Sequence, residues 1–271
     1  MRESFQHKKS LGQHFLNSPV VPGWMCDAGR ITAADTVFEI GPGTGALTAE
    51  LLTRGATVVA LETDARALQT LAERFAAELA AGQLRLVAGD ARRLDLAAYG
   101  LTDHTFKIVA NIPYYLSGQL FRHCLQSRIQ PTALVFLVQK EVAKRATAQL
   151  ERGEKESLLS LSVKAYGEPH YVKTVGRGHF VPPPAVDSAI ISISDINRAA
   201  FTDLSQSFFF ELLHLGFGQK RKQLLGNLAN QFDREHLTHI FSTLGIPVST
   251  RAEDLPLKTW LSLATALAIP N

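Results

Sequence analysis

The chain has 271 residues, of which 46% are hydrophobic and 20% are charged. This composition is typical of a globular protein and excludes a disordered one, and the length allows one large domain with one small domain beside it. The net charge of +3 is compatible with nucleic-acid binding but does not indicate it.

The cysteines and the N-terminal sequence indicate neither a disulfide scaffold nor a targeting segment. Cys26 and Cys124 are too few for a disulfide scaffold, and no Cys/His cluster has the spacing of zinc ligands, so we expect reduced cysteines and no metal. The first 16 residues lack the apolar core of a signal peptide, and no apolar segment approaches the length of a membrane span. We therefore expect a cytoplasmic protein without membrane contact.

Short apolar runs alternate with helical periodicity through the first half of the chain. The predicted strands are 37–40, 58–61, 84–87, 106–110 and 133–138. The predicted helices are 44–54, a helix capped by Asp64 that reaches Leu79, and 140–150. Alternating strands and helices are typical of an α/β fold with a parallel sheet and helices on both faces.

The pattern changes after Glu156. An apolar segment at 158–165 and a strand at 189–194 are separated by Phe180 and three prolines, which exclude a helix there. Beyond Asn197 the periodicity is only helical, at 204–215, 219–232, 233–244 and 257–268. We predict an α/β domain at 1–195 and a small helical domain at 196–271.

A glycine-rich loop follows the first α/β strand. Gly41, Gly43 and Gly45 allow the backbone to turn sharply and to approach a ligand closely. Glu62 ends the second strand, where a carboxylate can accept hydrogen bonds from both ribose hydroxyls of a nucleotide-like cofactor. The loop by itself fits either NAD or S-adenosylmethionine (SAM).

A carboxylate after the third strand favours SAM. Asp90 can meet an adenine amino group, although it can also simply cap the next turn. Glu39, Glu62 and Asp90 would form an acidic set at three successive strand ends. Such a set suits a cationic sulfonium and disfavours the pyrophosphate of NAD.

The segment Asn111-Ile112-Pro113-Tyr114 closes the fourth strand and predicts the acceptor site. The Asn111 side-chain oxygen and a backbone carbonyl near Pro113 can accept the two hydrogens of an adenine amino group, which aims the nitrogen lone pair at a methyl donor. Tyr114 would stack on the base. Phe180 is the candidate for the second stacking face, with a core phenylalanine as the alternative. We expect Tyr115 and Phe121 in the core.

Six motifs stand out along the chain: KKSLGQHFL at 8–16, EIGPGTG at 39–45, NIPYYLSG at 111–118, LVQKEVAKR at 137–145, FVPPPAVDSAI at 180–190 and FGQKRKQLLGNL at 217–228. Together they resemble the KsgA/RsmA family of rRNA adenine N6,N6-dimethyltransferases. The resemblance implies a Rossmann-like, class I SAM-dependent catalytic domain and a helical rRNA-binding domain. It also implies dimethylation of two adjacent adenosines in the 3′-terminal hairpin of 16S rRNA, within an immature 30S subunit.

The resemblance also assigns site residues. The implied cofactor contacts are His14, Leu16, Gly41, Gly43, Gly45, Glu62, Asp90, Ala91 and Asn111. His14 stands where many members have asparagine. The predicted RNA contacts are Lys8, Lys9, Lys140, Lys220, Arg221 and Lys222, each of which could neutralise a phosphate. A solvated helix face is the alternative for these cations and for Lys144 and Arg145.

Three other functions compete with this prediction. An Erm-type large-subunit enzyme would use the same Asn-Ile-Pro-Tyr chemistry. An assembly or transcription factor could keep the fold without activity, although intact Asn111, Pro113 and Tyr114 argue against lost catalysis. An NAD oxidoreductase would leave those residues unexplained. Nothing in the sequence indicates a dimer, so we expect a monomer.

Overall fold

The computed structural model describes residues 14–219 and 221–268. The strands are Phe15–Leu16 (β1), Thr36–Ile40 (β2), Thr57–Glu62 (β3), Leu84–Ala88 (β4), Phe106–Asn111 (β5), Ala133–Gln139 (β6), Glu168–Val175 (β7), Phe180–Val181 (β8) and Ser188–Ser194 (β9). The α-helices are Val20–Ala28 (α1), Ala46–Thr53 (α2), Ala65–Arg74 (α3), Ala76–Ala80 (α4), Ser117–Leu125 (α5), Lys140–Ala146 (α6), Leu158–Lys164 (α7), Gln206–Gly216 (α8), Leu224–Leu228 (α9), Arg234–Thr243 (α10) and Leu257–Ala268 (α11).

The main sheet has seven strands in the order β4-β3-β2-β5-β6-β9-β7. The first five strands in this order, β4, β3, β2, β5 and β6, pair in parallel, as predicted. Strand β9 runs antiparallel to β6. The parallel strands are apolar along most of their length, and β2, β3, β5 and β6 are largely buried. After β2 the chain continues on one side of that strand with β3 and returns on its other side with β5. In open α/β sheets a ligand crevice lies at the carboxyl ends of the strands at such a switch point.

A second, two-stranded sheet joins distant parts of the chain. β1 pairs antiparallel with β8, placing Phe15 opposite Val181 and Leu16 opposite Phe180. The Asn17 N–H also donates to the His179 carbonyl at 3.1 Å. The segment beginning at His14 is therefore fixed against the segment that precedes the three prolines.

Most predicted elements are present, with shifted ends. Asp64 caps α3 as predicted, its carboxylate accepting from the Arg66 N–H at 2.9 Å. The predicted helix that reaches Leu79 is interrupted at Phe75, which leaves helical backbone at φ −114° and is buried. The helix predicted at 140–150 ends at Ala146. Helices α1 and α5 and strands β1, β7 and β8 had no counterpart in the sequence prediction.

The helix predicted at 219–232 is shorter than expected. Only α9 is helical there, and the Leu224 N–H donates instead to the Thr250 carbonyl at 2.8 Å. Lys222 closes a turn by donating its N–H to the Gln219 carbonyl at 3.0 Å. Arg221 and Lys222 therefore lie in a turn before the helix rather than opening it.

The chain divides into two compact units whose limits differ from the predicted domains. One contains the described residues up to Ala143 together with His170–Ile193, and the other contains Lys144–Pro169 and the residues from Ser194. The Glu156 N–H donates to the Glu253 carbonyl at 3.0 Å, and the Tyr166 ring lies 5.1 Å from that of Phe201. These contacts attach 144–169, predicted within the first domain, to the second unit.

Both cysteines are free and buried, as predicted. Burial raises the pKa of the Cys26 thiol to about 12. Among the described residues, no helix combines the length and apolar character needed to cross a membrane.

Candidate active site

A cavity of the first unit opens at the carboxyl ends of β2, β3, β4 and β5. The residues that line it are His14, Phe15, Ile40, Gly41, Gly43, Leu61, Glu62, Thr63, Gly89, Asp90, Ala91, Arg92, Asn111, Ile112, Pro113, Tyr114, Tyr115, Leu116 and Phe180. Ten of them are residues that the sequence analysis assigned to the cofactor or to catalysis. Leu16 and Gly45, which were also assigned to the cofactor, do not line it.

The glycine loop shapes one wall of the cavity. Gly41 and Gly43 have φ values of +68° and +55°, which favour glycine. A Cβ atom on Gly43 would lie 2.9 Å from the Phe15 ring, whereas one on Gly41 would meet nothing within 4 Å. Gly45 has a different role, because its Cβ would lie 2.7 Å from Leu71 and 2.8 Å from Phe75. It allows close packing behind the loop, and its contact with a cofactor stays a prediction.

Glu62 is held in the cavity by the backbone. One carboxylate oxygen accepts from the Gly43 N–H at 3.1 Å, and the other accepts from the Thr63 and Asp64 N–H groups at 2.7 and 3.0 Å. These three bonds fix the carboxylate beside the glycine loop. Its position at the end of β3 is the one from which an acidic residue binds ribose hydroxyls.

Asp90 both caps a turn and lines the cavity, so the two interpretations of this residue are compatible. Its Oδ1 accepts from the Arg92 N–H at 2.9 Å, and its Oδ2 lies 2.7 Å from Arg92 Nη2. The hydrogen bonds from Arg92 lower the pKa of the Asp90 carboxyl. Asp90 is therefore ionised at neutral pH.

Glu39 does not belong to the acidic set that the sequence predicted. It is buried outside the cavity lining and accepts a hydrogen bond from Thr48 Oγ1 at 2.7 Å. Burial raises the pKa of its carboxyl to about 8, and the negative charge of Glu62 adds to the shift. Side chains alternate along a strand, so Ile40 faces the cavity while Glu39 points toward α2. The acidic set is reduced to Glu62 and Asp90.

Asn111 ends β5 at the edge of the cavity. Its Nδ2 donates to the His14 carbonyl at 3.2 Å, which directs the amide so that Oδ1 is the acceptor. The Pro113 carbonyl accepts from the Leu116 N–H at 2.9 Å. The carbonyl that precedes the proline belongs to Ile112, which lines the cavity, and its acceptor role stays a prediction. This geometry fits the amide role predicted for Asn111.

Tyr114 lies in the cavity wall and is anchored at its hydroxyl. The hydroxyl is 2.7 Å from Ser188 Oγ, and the ring centroid is 5.5 Å from that of His14. Burial raises the pKa of the Tyr114 phenol, so it stays protonated at neutral pH. Tyr114 therefore offers an aromatic face and no base.

Phe180 is both a core residue and part of the cavity wall, the two positions that the sequence left open. It is 2% exposed and belongs to the hydrophobic core, yet it also forms part of the cavity wall. Phe121 is buried, as expected. The expectation for Tyr115 was wrong, because this side chain is 64% exposed and lies in the cavity lining.

The N-terminal segment lines the cavity with His14 and Phe15 rather than with the predicted pair His14 and Leu16. His14 Nδ1 lies 2.8 Å from the Pro182 carbonyl oxygen, and the ring lines the cavity. Leu16 is buried in the core, because alternation along β1 turns it away, and Phe15 lines the cavity instead.

Three of the six residues predicted to contact RNA lie within the described part of the chain. Lys140 begins α6 with a partly exposed side chain, and Arg221 and Lys222 are exposed. Lys8, Lys9 and Lys220 lie outside the described residues. All six stay predictions.

Sequence reasoning missed several lining residues, notably Phe15, Thr63, Arg92 and Tyr115. Thr63 follows Glu62 in the chain, Arg92 stands two residues after Asp90, and Tyr115 follows Tyr114. Their proximity to motif residues was the available signal, but nothing in their types marked them as cavity residues.

The family model described as "Ribosomal RNA adenine dimethylase" matches residues 4–268. The chain belongs to the ribosomal RNA adenine dimethylase family. It is 38% identical over 263 residues to the ribosomal RNA small subunit methyltransferase A of Dehalococcoides mccartyi strain CBDB1, covering 96% of this chain and 88% of that one. It is 35% identical over 277 residues to the protein of that name from Bacillus cereus strain B4264, covering 98% and 92%.

Solved structures agree with this assignment. A dimethyladenosine transferase from Plasmodium falciparum superposes with a TM-score of 0.79 at 26% identity, covering 94% of this chain and 98% of that one. The 23S rRNA methyltransferase ErmE superposes with a TM-score of 0.71 at 22% identity, covering 94% and 100%, and indicates a shared fold.

As a ribosomal RNA adenine dimethylase, the chain is a SAM-dependent methyltransferase that dimethylates rRNA adenine. The predicted activity, methyl donor and Rossmann-like fold are confirmed, and the oxidoreductase alternative is excluded. The cavity residues fit the donor, because two carboxylates and two left-handed glycines meet at the switch point.

Proposed function

We propose that this chain dimethylates the N6 amino groups of two adjacent adenosines in the 3′-terminal hairpin of 16S rRNA. Its substrate is an immature 30S subunit in the cytoplasm, and the enzyme acts as a monomer. The relatives named for the small ribosomal subunit support this branch. The observation that carries the chemistry is the Asn111 amide, which donates to the His14 carbonyl and keeps Oδ1 as an acceptor.

The donor half of the site binds and orients SAM, which supplies an electrophilic methyl group on a sulfonium. Glu62 would accept hydrogen bonds from the ribose hydroxyls of the bound cofactor, and Asp90 with Ala91 would contact its adenine. Gly41 and Gly43 leave room for close approach of the cofactor to the loop. The negative charges of Glu62 and Asp90 also favour the cationic donor over its neutral product.

The acceptor half positions an adenine amino group that is a poor nucleophile, since its lone pair is delocalised into the ring. Asn111 Oδ1 and the Ile112 carbonyl accept the two amino hydrogens, which favours a pyramidal nitrogen whose lone pair is directed at the methyl group. Tyr114 and Phe180 hold the ring. The reaction then depends on positioning and electrostatics rather than on a strong base.

The same arrangement serves the second transfer. An amino group that already carries one methyl keeps one hydrogen, and one acceptor is enough to orient it. The base must leave its stack to enter the cavity, and the cost of unstacking is offset by the contact with Tyr114.

The RNA outside the cavity is held by cations. Lys140, Arg221 and Lys222 are at least partly exposed and can neutralise phosphates, as can the cations at 8, 9 and 220. Binding of the subunit should therefore weaken as salt rises.

The test is methylation with labelled SAM of three substrates: 30S subunits from a strain without this modification, naked 16S rRNA and 23S rRNA. We expect label in the 30S subunits, on two adjacent adenosines of the terminal hairpin, and none with the Asn111→Ala variant. Label in 23S rRNA alone would assign the chain to the large-subunit branch. Label in none of the three would favour a non-catalytic assembly factor.

A further inference from the structure

Tyr115 is unusual for an aromatic side chain of this protein. It is 64% exposed, and it is the one aromatic among the large exposed hydrophobic side chains of the described residues. An aromatic ring at the surface loses the free energy that burial would provide, so an exposed aromatic beside a cavity is a candidate for ligand contact.

The local backbone explains how two adjacent tyrosines face different surroundings. Tyr114, Tyr115 and Leu116 form a single tight helical turn after Pro113. In such a turn successive side chains point about 120° apart. Tyr114 is fixed in the wall by Ser188 and Leu116 is buried, so Tyr115 is directed outward at the edge of the cavity.

Within the described part of the chain, little covers the surface beside Tyr115 at Gly118. A Cβ atom on Gly118, one turn further along the chain, would meet no atom within 4 Å. Gly118 therefore leaves this side of the turn without a side chain.

A cation lies on the same rim. Arg92 lines the same cavity, and its side chain is 62% exposed although Asp90 holds it at 2.7 Å. An exposed aromatic ring beside an exposed guanidinium matches the two parts of a nucleotide, a base that stacks and a phosphate that pairs with a cation.

We propose that Tyr115 and Arg92 bind the nucleotide next to the target adenine, with its base stacked on Tyr115 and its phosphate beside Arg92. The inference rests on the proposed function. Extrusion of the target base exposes a face of its neighbour, and an aromatic at the cavity mouth replaces the stacking that this neighbour has lost. The occupant is a single-stranded RNA nucleotide, so the rim contributes to binding of RNA and not of SAM.

The experiment compares Tyr115→Ala and Tyr115→Phe with the unaltered chain, using undermethylated 30S subunits. The matched control is Tyr171→Ala, which removes a tyrosine of the same unit that does not line the cavity. Loss of one stacking contact should lower kcat/KM for the RNA about 5- to 150-fold in Tyr115→Ala. Tyr115→Phe keeps the aromatic face and should stay within about twofold, as should Tyr171→Ala.

The affinity for SAM, measured by calorimetry on each variant, separates the possible outcomes. We expect it to be unchanged in Tyr115→Ala. A parallel loss of SAM affinity would overturn the proposal, because Tyr115 would then support the donor site or the fold. Equal RNA kinetics in Tyr115→Ala and the unaltered chain would also overturn it. If the unaltered chain methylates no rRNA, the proposed function fails instead.

Discussion

The two halves of the cavity are fixed in different ways. On the donor side, Glu62 is held by backbone N–H groups 1, 2 and 19 residues away, and Asp90 by an N–H 2 residues away. On the acceptor side, Asn111 contacts His14 across 97 residues and Tyr114 contacts Ser188 across 74. The two donor carboxylates are thus fixed mainly by nearby backbone at the strand ends, whereas the acceptor residues Asn111 and Tyr114 depend on contacts between distant segments. Substitutions on the donor side should therefore mainly weaken SAM binding, whereas substitutions on the acceptor side should mainly lower the rate of methyl transfer.

The largest effect is expected on the acceptor side. Asn111→Ala removes the acceptor oxygen and the bond to His14, so turnover should fall by about 10³-fold or more, since one such oriented group is worth about 10²–10³-fold and two contacts are lost. SAM binding should be weakened but measurable by calorimetry. Full activity in this variant would show that the amide does not orient the target nitrogen.

The next effect concerns packing behind the donor loop. Gly45→Ala places a methyl group against Leu71 and Phe75 at φ +77°. Backbone strain and overpacking together should lower the free energy of unfolding by about 2–4 kcal/mol, measured by urea denaturation. Gly82→Ala is the control, because Gly82 has φ +71° with nothing within 4 Å of a Cβ atom. Equal losses in both variants would mean that the contacts at Gly45 are unimportant.

A donor-side substitution should act on binding rather than turnover. Glu62→Gln keeps the shape of the side chain but removes the charge that accepts three backbone hydrogen bonds. The Kd for SAM should rise about 10- to 150-fold, the effect of losing one charged hydrogen bond. At saturating SAM, kcat should change far less. A large fall in kcat with unchanged Kd would place Glu62 on the acceptor side.

The smallest effect is a pH dependence of stability that arises outside the cavity. The folded-state pKa of Glu39 is about 8, above its ordinary value of 4.5, so the folded protein binds more protons than the unfolded chain between those values. Stability from this group is complete below pH 4.5 and is lost as pH rises through 8. Glu39→Gln should therefore be more stable than the unaltered chain at pH 8, on the order of 1–3 kcal/mol, and similar to it at pH 5. Parallel pH profiles of unfolding would contradict a raised pKa.

The sequence predicted the donor half well for a physical reason. Buried parallel strands are continuous apolar runs, so the glycines and carboxylates that end them stand out. The same property hid the orientation of Glu39, because a strand buried on both faces does not reveal which side chain faces the ligand. Tyr115 was misplaced because the turn after Pro113 rotates each side chain, and residue type alone does not give that rotation.

The limits of the two units were harder to predict from the sequence. The segment 144–169 follows the parallel strands in the chain, yet its partners, Glu253 and Phe201, come after β9. Contacts between segments so far apart leave no periodicity in the sequence. Strand β7 was missed for a related reason, because most of its residues are exposed or half-buried and carry no apolar run.

The pairing of β1 with β8 has a consequence for the synthesis of the protein. Phe15 and His14 reach their places in the cavity only when Val181 and Pro182 are available to pair with them. A nascent chain that has not yet exposed these residues lacks one wall of the cavity, even though every parallel strand has already been made. The walls of the cavity are therefore complete only late in translation, after about two thirds of the chain has emerged from the ribosome.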